Sequence, residues 1–79
     1  MKKKVAIIGV TGAVGQEFVQ SLNDHPWFEV TQIAASERSA GKKYIDAIRD
    51  DNGIVAWDVG GEIPDYIKEM PVLTIDEIN

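Results

Sequence analysis

The chain predicts an α/β fold built on a parallel sheet, on three observations. Val5-Ala6-Ile7-Ile8 is an unbroken apolar run that stops at Gly9. A glycine-spaced turn, Gly9-Val10-Thr11-Gly12-Ala13-Val14-Gly15, then leads directly into a stretch of helical period. A second β-rich run, Phe28 to Ala35, follows that helix. Strand, glycine turn, helix and strand in that order describe one crossover unit of a doubly wound parallel sheet.

The first strand has no alternation. Val5 and Ile7 point to one face, Ala6 and Ile8 to the other, and both pairs are apolar. That pattern predicts a central strand covered on both sides. The helix is expected from about Gly12 to Asn23. Its apolar stripe is Val14, Phe18, Val19 and Leu22, with Gln16, Glu17, Gln20 and Ser21 facing away. It ends before His25-Pro26, because proline disfavours helical geometry in the residue before it. His25, the only histidine, reads as a surface residue in a helix-exit turn. Trp27 and Phe28 read as core or domain-contact aromatics.

The glycine turn lies between a strand's carboxyl end and a helix's amino end. The first N–H groups of a helix lack intrahelical partners, and the dipole adds about half a positive charge there. Such a site favours an anion, most often phosphate. Gly12 would admit a pyrophosphate close to the backbone, and Gly15 would let the helix pack against the strand. The spacing is GxxGxxG; the GxGxxG dinucleotide fingerprint would need glycine at Val10. A tight turn without any ligand is the alternative.

The second strand, Phe28 to Ala35, should lie parallel to the first through a right-handed connection. At its end comes Ser36-Glu37-Arg38-Ser39-Ala40-Gly41-Lys42-Lys43. In a dinucleotide unit this corner lies beside the adenosine ribose: an acid selects NAD, and an arginine accommodates the 2′-phosphate of NADP. The position roughly 20 residues past the turn holds Ala35-Ser36 and not an acid. Arg38 follows, flanked by Ser36 and Ser39. Arg38, Lys42 and Lys43 against Glu37 make three positive charges to one negative here, in a chain of net charge −5. Guanidinium forks match phosphate oxygens, and hydroxyls add bonds. NADP is the preferred cofactor. Glu37 as a ribose acid would reverse that preference, and a solvated polar loop is the reading that involves no ligand.

The remainder is less explicit. Tyr44, Ile45 and Ile48 suit a short helix or an irregular crossing. Asp50-Asp51-Asn52-Gly53 is a turn whose acids are solvated. Ile54 to Val59 alternates and allows a short strand. Gly60-Gly61 is a further turn. Pro64 opens a helix from Asp65 to Met70, closed by Pro71, and Val72 to Ile75 is a third parallel strand.

Composition narrows the function classes. At 79 residues the chain holds one domain at most. A domain this small buries only about 60% of its unfolded surface. Hydrophobic content is 44% and charged content 27%, as in globular proteins. There is no cysteine, which removes disulfides, CxxC metal sites and a thiol nucleophile; no metal site is expected. Lys2-Lys3-Lys4 precedes an apolar run too short for a signal peptide, and nothing nears the ~20 apolar residues of a membrane span. The acidic balance argues against nucleic-acid binding. A cytoplasmic location is expected.

The doubly wound strand order is 3-2-1-4-5-6. The chain offers strands 1, 2 and 3 only, which would leave strand 1 with a bare edge. The expectation is that residues 1–79 are the N-terminal part of an NADP-binding Rossmann domain, with the catalytic and dimerisation domain absent from this chain; the alternative is that a partner finishes the sheet.

On the glycine turn and on Ala34-Ala35-Ser36-Glu37-Arg38-Ser39-Ala40-Gly41-Lys42-Lys43-Tyr44, the chain resembles aspartate-semialdehyde dehydrogenase of the archaeal and fungal type. The likeness runs from Lys4 to about Asp76, and Asp24-His25-Pro26 and Ile63-Pro64 also match the archaeal form. The resemblance implies an NADP-dependent oxidoreductase of amino-acid biosynthesis that reduces 4-phospho-L-aspartate to L-aspartate 4-semialdehyde, as a homo-oligomer when complete. It implies cofactor contacts from Thr11, Gly12, Ala13 and Val14 to the pyrophosphate, and from Ser36, Arg38 and Ser39 to the 2′-phosphate; Gly9 is expected among the cofactor-binding residues. The family's cysteine nucleophile and histidine acid/base have no counterpart here, so no catalytic residue is assigned. N-acetyl-glutamyl-phosphate reductase, malonyl-CoA reductase and a non-catalytic NADP-sensing module share the same N-terminal layout.

Overall fold

The computed structural model describes residues 2–78. Its elements are strand β1 (Lys3–Ile8), helix α1 (Ala13–Ser21), strand β2 (Phe28–Ala34), two short helices α2 (Tyr44–Ala47) and α3 (Asp65–Lys68), strand β3 (Val72–Leu73) and a closing 3₁₀ turn (Ile75–Glu77). The three strands are parallel in the order β1-β2-β3. That is the 3-2-1 half of a doubly wound sheet, as the sequence predicts.

Register explains which residues meet. Val5 pairs with Val30, but Ala6 pairs with Gln32, so the ladder skips Thr31. Side chains alternate faces along a strand, so Val30 and Ile33, three apart, would otherwise oppose each other. The skip puts both on the face of Val5, Ile7 and Val72. There they join one core with Val19 of α1, Tyr44 and Ile48 around α2, and Ile67 of α3.

Three expectations need correction. β1 is covered on one face only: Ile7 is buried, whereas Ala6 is exposed and Ile8 is 52% exposed. The three helices contribute Val19, Tyr44 and Ile67 to the cluster that contains Ile7. α1 is rotated from its expected stripe. Gly15, Gln16 and Val19 are its buried residues, while Val14 and Phe18 are exposed. The close approach of Gly15 to the end of β1 sets that rotation. A Cβ on Gly15 would overlap the Gly9 carbonyl oxygen and lie 2.7 Å from the Val10 Cα. Finally, residues 54–59 form no strand. Only Val55 bridges, to Arg49, and side chains of α1 take up backbone groups of this segment.

Other elements follow the expected course with shorter bounds. Asp50 Oδ1 accepts from the Asn52 and Ile54 amides, closing the predicted turn. β3 ends at Leu73 because Thr74 and Glu77 form a reciprocal capping box that starts the 3₁₀ turn. The Thr74 amide donates to Glu77, which holds that carboxyl below the usual carboxylate range. Trp27 is 70% exposed, so of its two expected roles, core or domain contact, the core one falls. The His25 Nδ1 accepts from the Trp27 amide at 3.1 Å.

Candidate functional site

The glycine turn directs its carbonyls inward. The Gly9 oxygen accepts from the Gly12 amide, and the Gly12 oxygen from the Gln16 amide. The Val10 oxygen accepts from the Tyr44 hydroxyl at 3.0 Å, and the Thr11 oxygen from Gln16 Nε2 at 3.1 Å. The amides of Gly9 and Val10 both donate to the Ala34 oxygen, tying the turn to the end of β2. Gly9 itself holds φ +72°, a conformation that suits glycine.

The outward side of the turn carries donors. Gly12 is the N-cap of α1 in extended geometry, so no side chain caps the helix, and its first turn contains no acid. The amides of Thr11, Ala13 and Val14 find no acceptor among the described residues. Thr11 is half-buried; Gly9, Gly12, Ala13 and Val14 are exposed. Neither a cap nor a carboxylate satisfies this helix start, so its partial positive charge faces solvent. A Cβ on Gly12 would make only an ordinary 3.7 Å contact with the Gly9 oxygen. Nothing inside the fold therefore requires glycine at that position.

The second corner is a loop stapled at both ends to β3. The Ala35 amide donates to Leu73, the Gly41 amide to Val72, and the Val72 amide returns to Lys42. Between them the Ser39 and Ala40 amides fold back onto the Ser36 oxygen, which puts Arg38 at the tip. Lys43 pairs with Glu69 at 2.7 Å, and that hydrogen bond raises its pKa. Arg49 is engaged by Asp46 and by the Gly53 oxygen. Arg38 and Lys42 make no ion pair among the described residues.

The two corners share one cleft. A hollow of about 480 Å³ is lined by Thr11 from the turn and by Ser36, Arg38, Ser39 and Lys42 from the loop. Asp46, Ala47, Arg49, Asp50, Asp51 and Gly53 form its other side. The turn's remaining residues, Gly9, Gly12, Ala13 and Val14, adjoin Thr11 but are not part of the lining. Glu37 is not part of it either. A somewhat larger hollow, about 520 Å³, lies against Lys4, Val5, Ala6, Thr31 and Gln32 and belongs to neither corner.

Three contributors carry no signal in the residue pattern. Gln16 is 1% exposed; its Nε2 donates to the Thr11 and Ala56 oxygens, and its Oε1 accepts from the Asp58 amide at 2.7 Å. Helical periodicity places it on the solvent face, so only the tight seat of Gly15 reveals its role. Tyr44 is fully buried beneath the turn. Asp50 and Asp51, read as solvated in sequence, are exposed and, with Asp46, also wall the cleft. Among the described residues no group of three or more His, Cys, Asp or Glu could hold a metal ion.

Comparison with known proteins bears on this arrangement. The family model described as "Semialdehyde dehydrogenase, NAD binding domain" matches residues 4–77. Aspartate-semialdehyde dehydrogenase of Archaeoglobus fulgidus is 43% identical over 76 residues, covering 96% of this chain and 20% of that protein. The Saccharomyces cerevisiae protein of the same name is 53% identical over 47 residues, covering 60% of this chain and 13% of that protein. Among solved structures, aspartate-semialdehyde dehydrogenase with NADP from Candida albicans superposes with a TM-score of 0.79 at 38% identity, covering 94% of this chain and 19% of that one. The chain spans about a fifth of the length of the curated relatives it matches. A parallel β1-β2-β3 sheet, a glycine turn opening α1, and a family match over residues 4–77 lead to one conclusion: the chain belongs to the semialdehyde dehydrogenase NAD-binding domain family.

Proposed function

We propose that this chain is the N-terminal, NADP-binding part of an oxidoreductase that reduces 4-phospho-L-aspartate to L-aspartate 4-semialdehyde with NADPH. The single observation that carries the reading is the shared cleft, lined by Thr11 of the glycine turn together with Ser36, Arg38, Ser39 and Lys42. One molecule with phosphates at two separated points can touch both corners.

The residues fit that ligand. The open amides of Thr11, Ala13 and Val14 at an uncapped helix start suit a pyrophosphate. Gly9 sets the bend, and Gly12 leaves the approach clear. Arg38 and Lys42, without an ion pair among the described residues, lie beside the Ser36 and Ser39 hydroxyls, which suits a 2′-phosphate. Glu37, which as a ribose acid would favour NAD, stands outside the lining. The NADP in the Candida albicans structure supports the same cofactor. When bound, the nicotinamide end supplies the hydride. This chain's own residues hold and orient the dinucleotide.

The chain has no cysteine, so the nucleophile and acid/base that the family resemblance implies belong to a further domain of a longer protein. With that reading go a small-molecule substrate, a cytoplasmic location and a homo-oligomer for the complete protein. No helix of the described residues is long and apolar enough to cross a membrane.

The test is Arg38→Ala in the complete protein. A charged hydrogen bond contributes about 1.5–3 kcal/mol, so NADPH affinity should fall about ten- to a hundredfold while NADH affinity stays nearly constant. Equal losses for both cofactors would remove the 2′-phosphate assignment.

A further inference from the structure

Tyr44 reaches the glycine turn from beyond the second corner. Its hydroxyl donates to the Val10 oxygen at 3.0 Å, across 34 residues of chain. Its backbone amide donates to Met70 at 3.0 Å, immediately after the loop that carries Arg38. The preceding residue, Lys43, bridges to Pro71 and pairs with Glu69. Tyr44 also starts α2, and Asp46 and Ala47 of α2 line the cleft. The ring is fully buried in the core with Ile7, Val10 and Ile33.

We propose that Tyr44 is a positioning residue that locks the turn and the Arg38 loop into one fixed spacing, so that the two ends of a dinucleotide are bound as a coupled pair. The proposal rests on the cofactor reading above. Val10 is fully buried, and no other donor to its oxygen is present among the described residues. Without the hydroxyl, that carbonyl loses its partner and the turn loses its link to α2. Arg38 can grip a 2′-phosphate fully only if the pyrophosphate stays in register a fixed distance away. Tyr44 touches neither phosphate site directly, so any effect of its hydroxyl on the contribution of Arg38 passes through that spacing. Burial also pushes the Tyr44 pKa up, favouring the neutral hydroxyl that donates to Val10.

The experiment is a double-mutant cycle in the complete protein, read as NADPH and NADH dissociation constants below the melting temperature of every variant. In the parent, Arg38→Ala should weaken NADPH about ten- to a hundredfold. In the Tyr44→Phe background the same change should cost at least threefold less, and the preference for NADPH over NADH should shrink. Adenosine 2′-monophosphate, which reaches only the loop, should bind Tyr44→Phe within about twofold of the parent. Tyr66→Phe is the control. Its hydroxyl donates to the Val19 oxygen at 2.8 Å, away from both corners, so it removes the same kind of bond and should leave the Arg38→Ala factor unchanged. If Tyr44→Phe does not fold, Tyr44→Met, a smaller and more flexible apolar residue that also lacks the hydroxyl, serves the same comparison. An Arg38→Ala factor that is equal in the parent and in the Tyr44→Phe variant overturns the coupling and leaves the cofactor reading standing. If Arg38→Ala leaves the parent's preference for NADPH intact, the cofactor reading itself falls.

Discussion

Gly12 and Gly15 lack a side chain for different reasons. A Cβ on Gly15 would strike the backbone of Gly9 and Val10, which cannot retreat like a flexible side chain. Gly15→Ala should therefore lower stability by about 1–3 kcal/mol, the cost of overpacking, in a urea titration. Gly12 has φ −78° and open space for a methyl group. Gly12→Ala should stay within about 1 kcal/mol of the parent in the same titration. Nucleotide affinity should nonetheless fall at least tenfold, because the methyl group stands where a pyrophosphate approaches. If Gly12→Ala binds normally, the pyrophosphate is held elsewhere. Tyr66 supplies a pH prediction. Burial pushes its pKa up to about 12, from an ordinary value of 10.0. The folded state thus favours the neutral phenol, whose stabilising effect is intact below pH 10 and is lost as pH rises through about 12. Tyr66→Phe should flatten the alkaline limb of a stability-versus-pH curve; an unchanged limb would assign it elsewhere.

At the scale of elements, α1 is held by a buried glutamine that its pattern places on the solvent face. Gln16 satisfies the Thr11 and Ala56 oxygens and the Asp58 amide at once, and Gln20 Nε2 reaches the Gly60 oxygen at 3.1 Å. The segment 56–60 thereby obtains partners that a strand ladder would otherwise provide. Gln16→Leu keeps similar volume and orphans those groups, at a cost of about 1–3 kcal/mol each. The Asp58 amide should then exchange its hydrogen far faster than in the parent, while Val30 in β2 stays protected. Retained protection at Asp58 would show that the glutamine is not what holds the segment. The same elements mark how far residue patterns reach. Both long strands, α1 and the two turns can be read from local chemistry: β-branched runs, glycine spacing, a proline after a helix. The rotation of α1 and the missing strand at 54–59 cannot. They follow from Gly15 meeting Gly9 and from Gln16 reaching Ala56 and Asp58, contacts that exist only once the chain has folded.

For the whole molecule, the consequence is a three-stranded sheet in which β1 is an edge strand. β1 pairs only with β2 among the described residues. Its outer side shows Ile8 at 52% and Phe18 at 54% exposure, and a hollow of about 170 Å³ runs between β1 and Phe18 and Leu22. An exposed edge strand with apolar residues beside it can recruit other strands. Expressed alone, the 79-residue chain should self-associate with rising concentration in sedimentation. Phe18→Glu should reduce that association while changing stability by no more than about 0.5 kcal/mol, as expected for an exposed site. Association unaffected by Phe18→Glu would place the contact on another surface.

Local chemistry was enough to establish the class of fold, the uncapped helix start at Gly12 and the basic loop that carries Arg38. Backbone freedom, unpaired amides and fixed charge are properties of short stretches and survive in any context. The meeting of those two corners in one cleft, the burial of Gln16 and the bond from Tyr44 to Val10 depended on the folded chain. Each joins segments whose distance is set by sheet register and core packing, and no spacing along the chain encodes that distance.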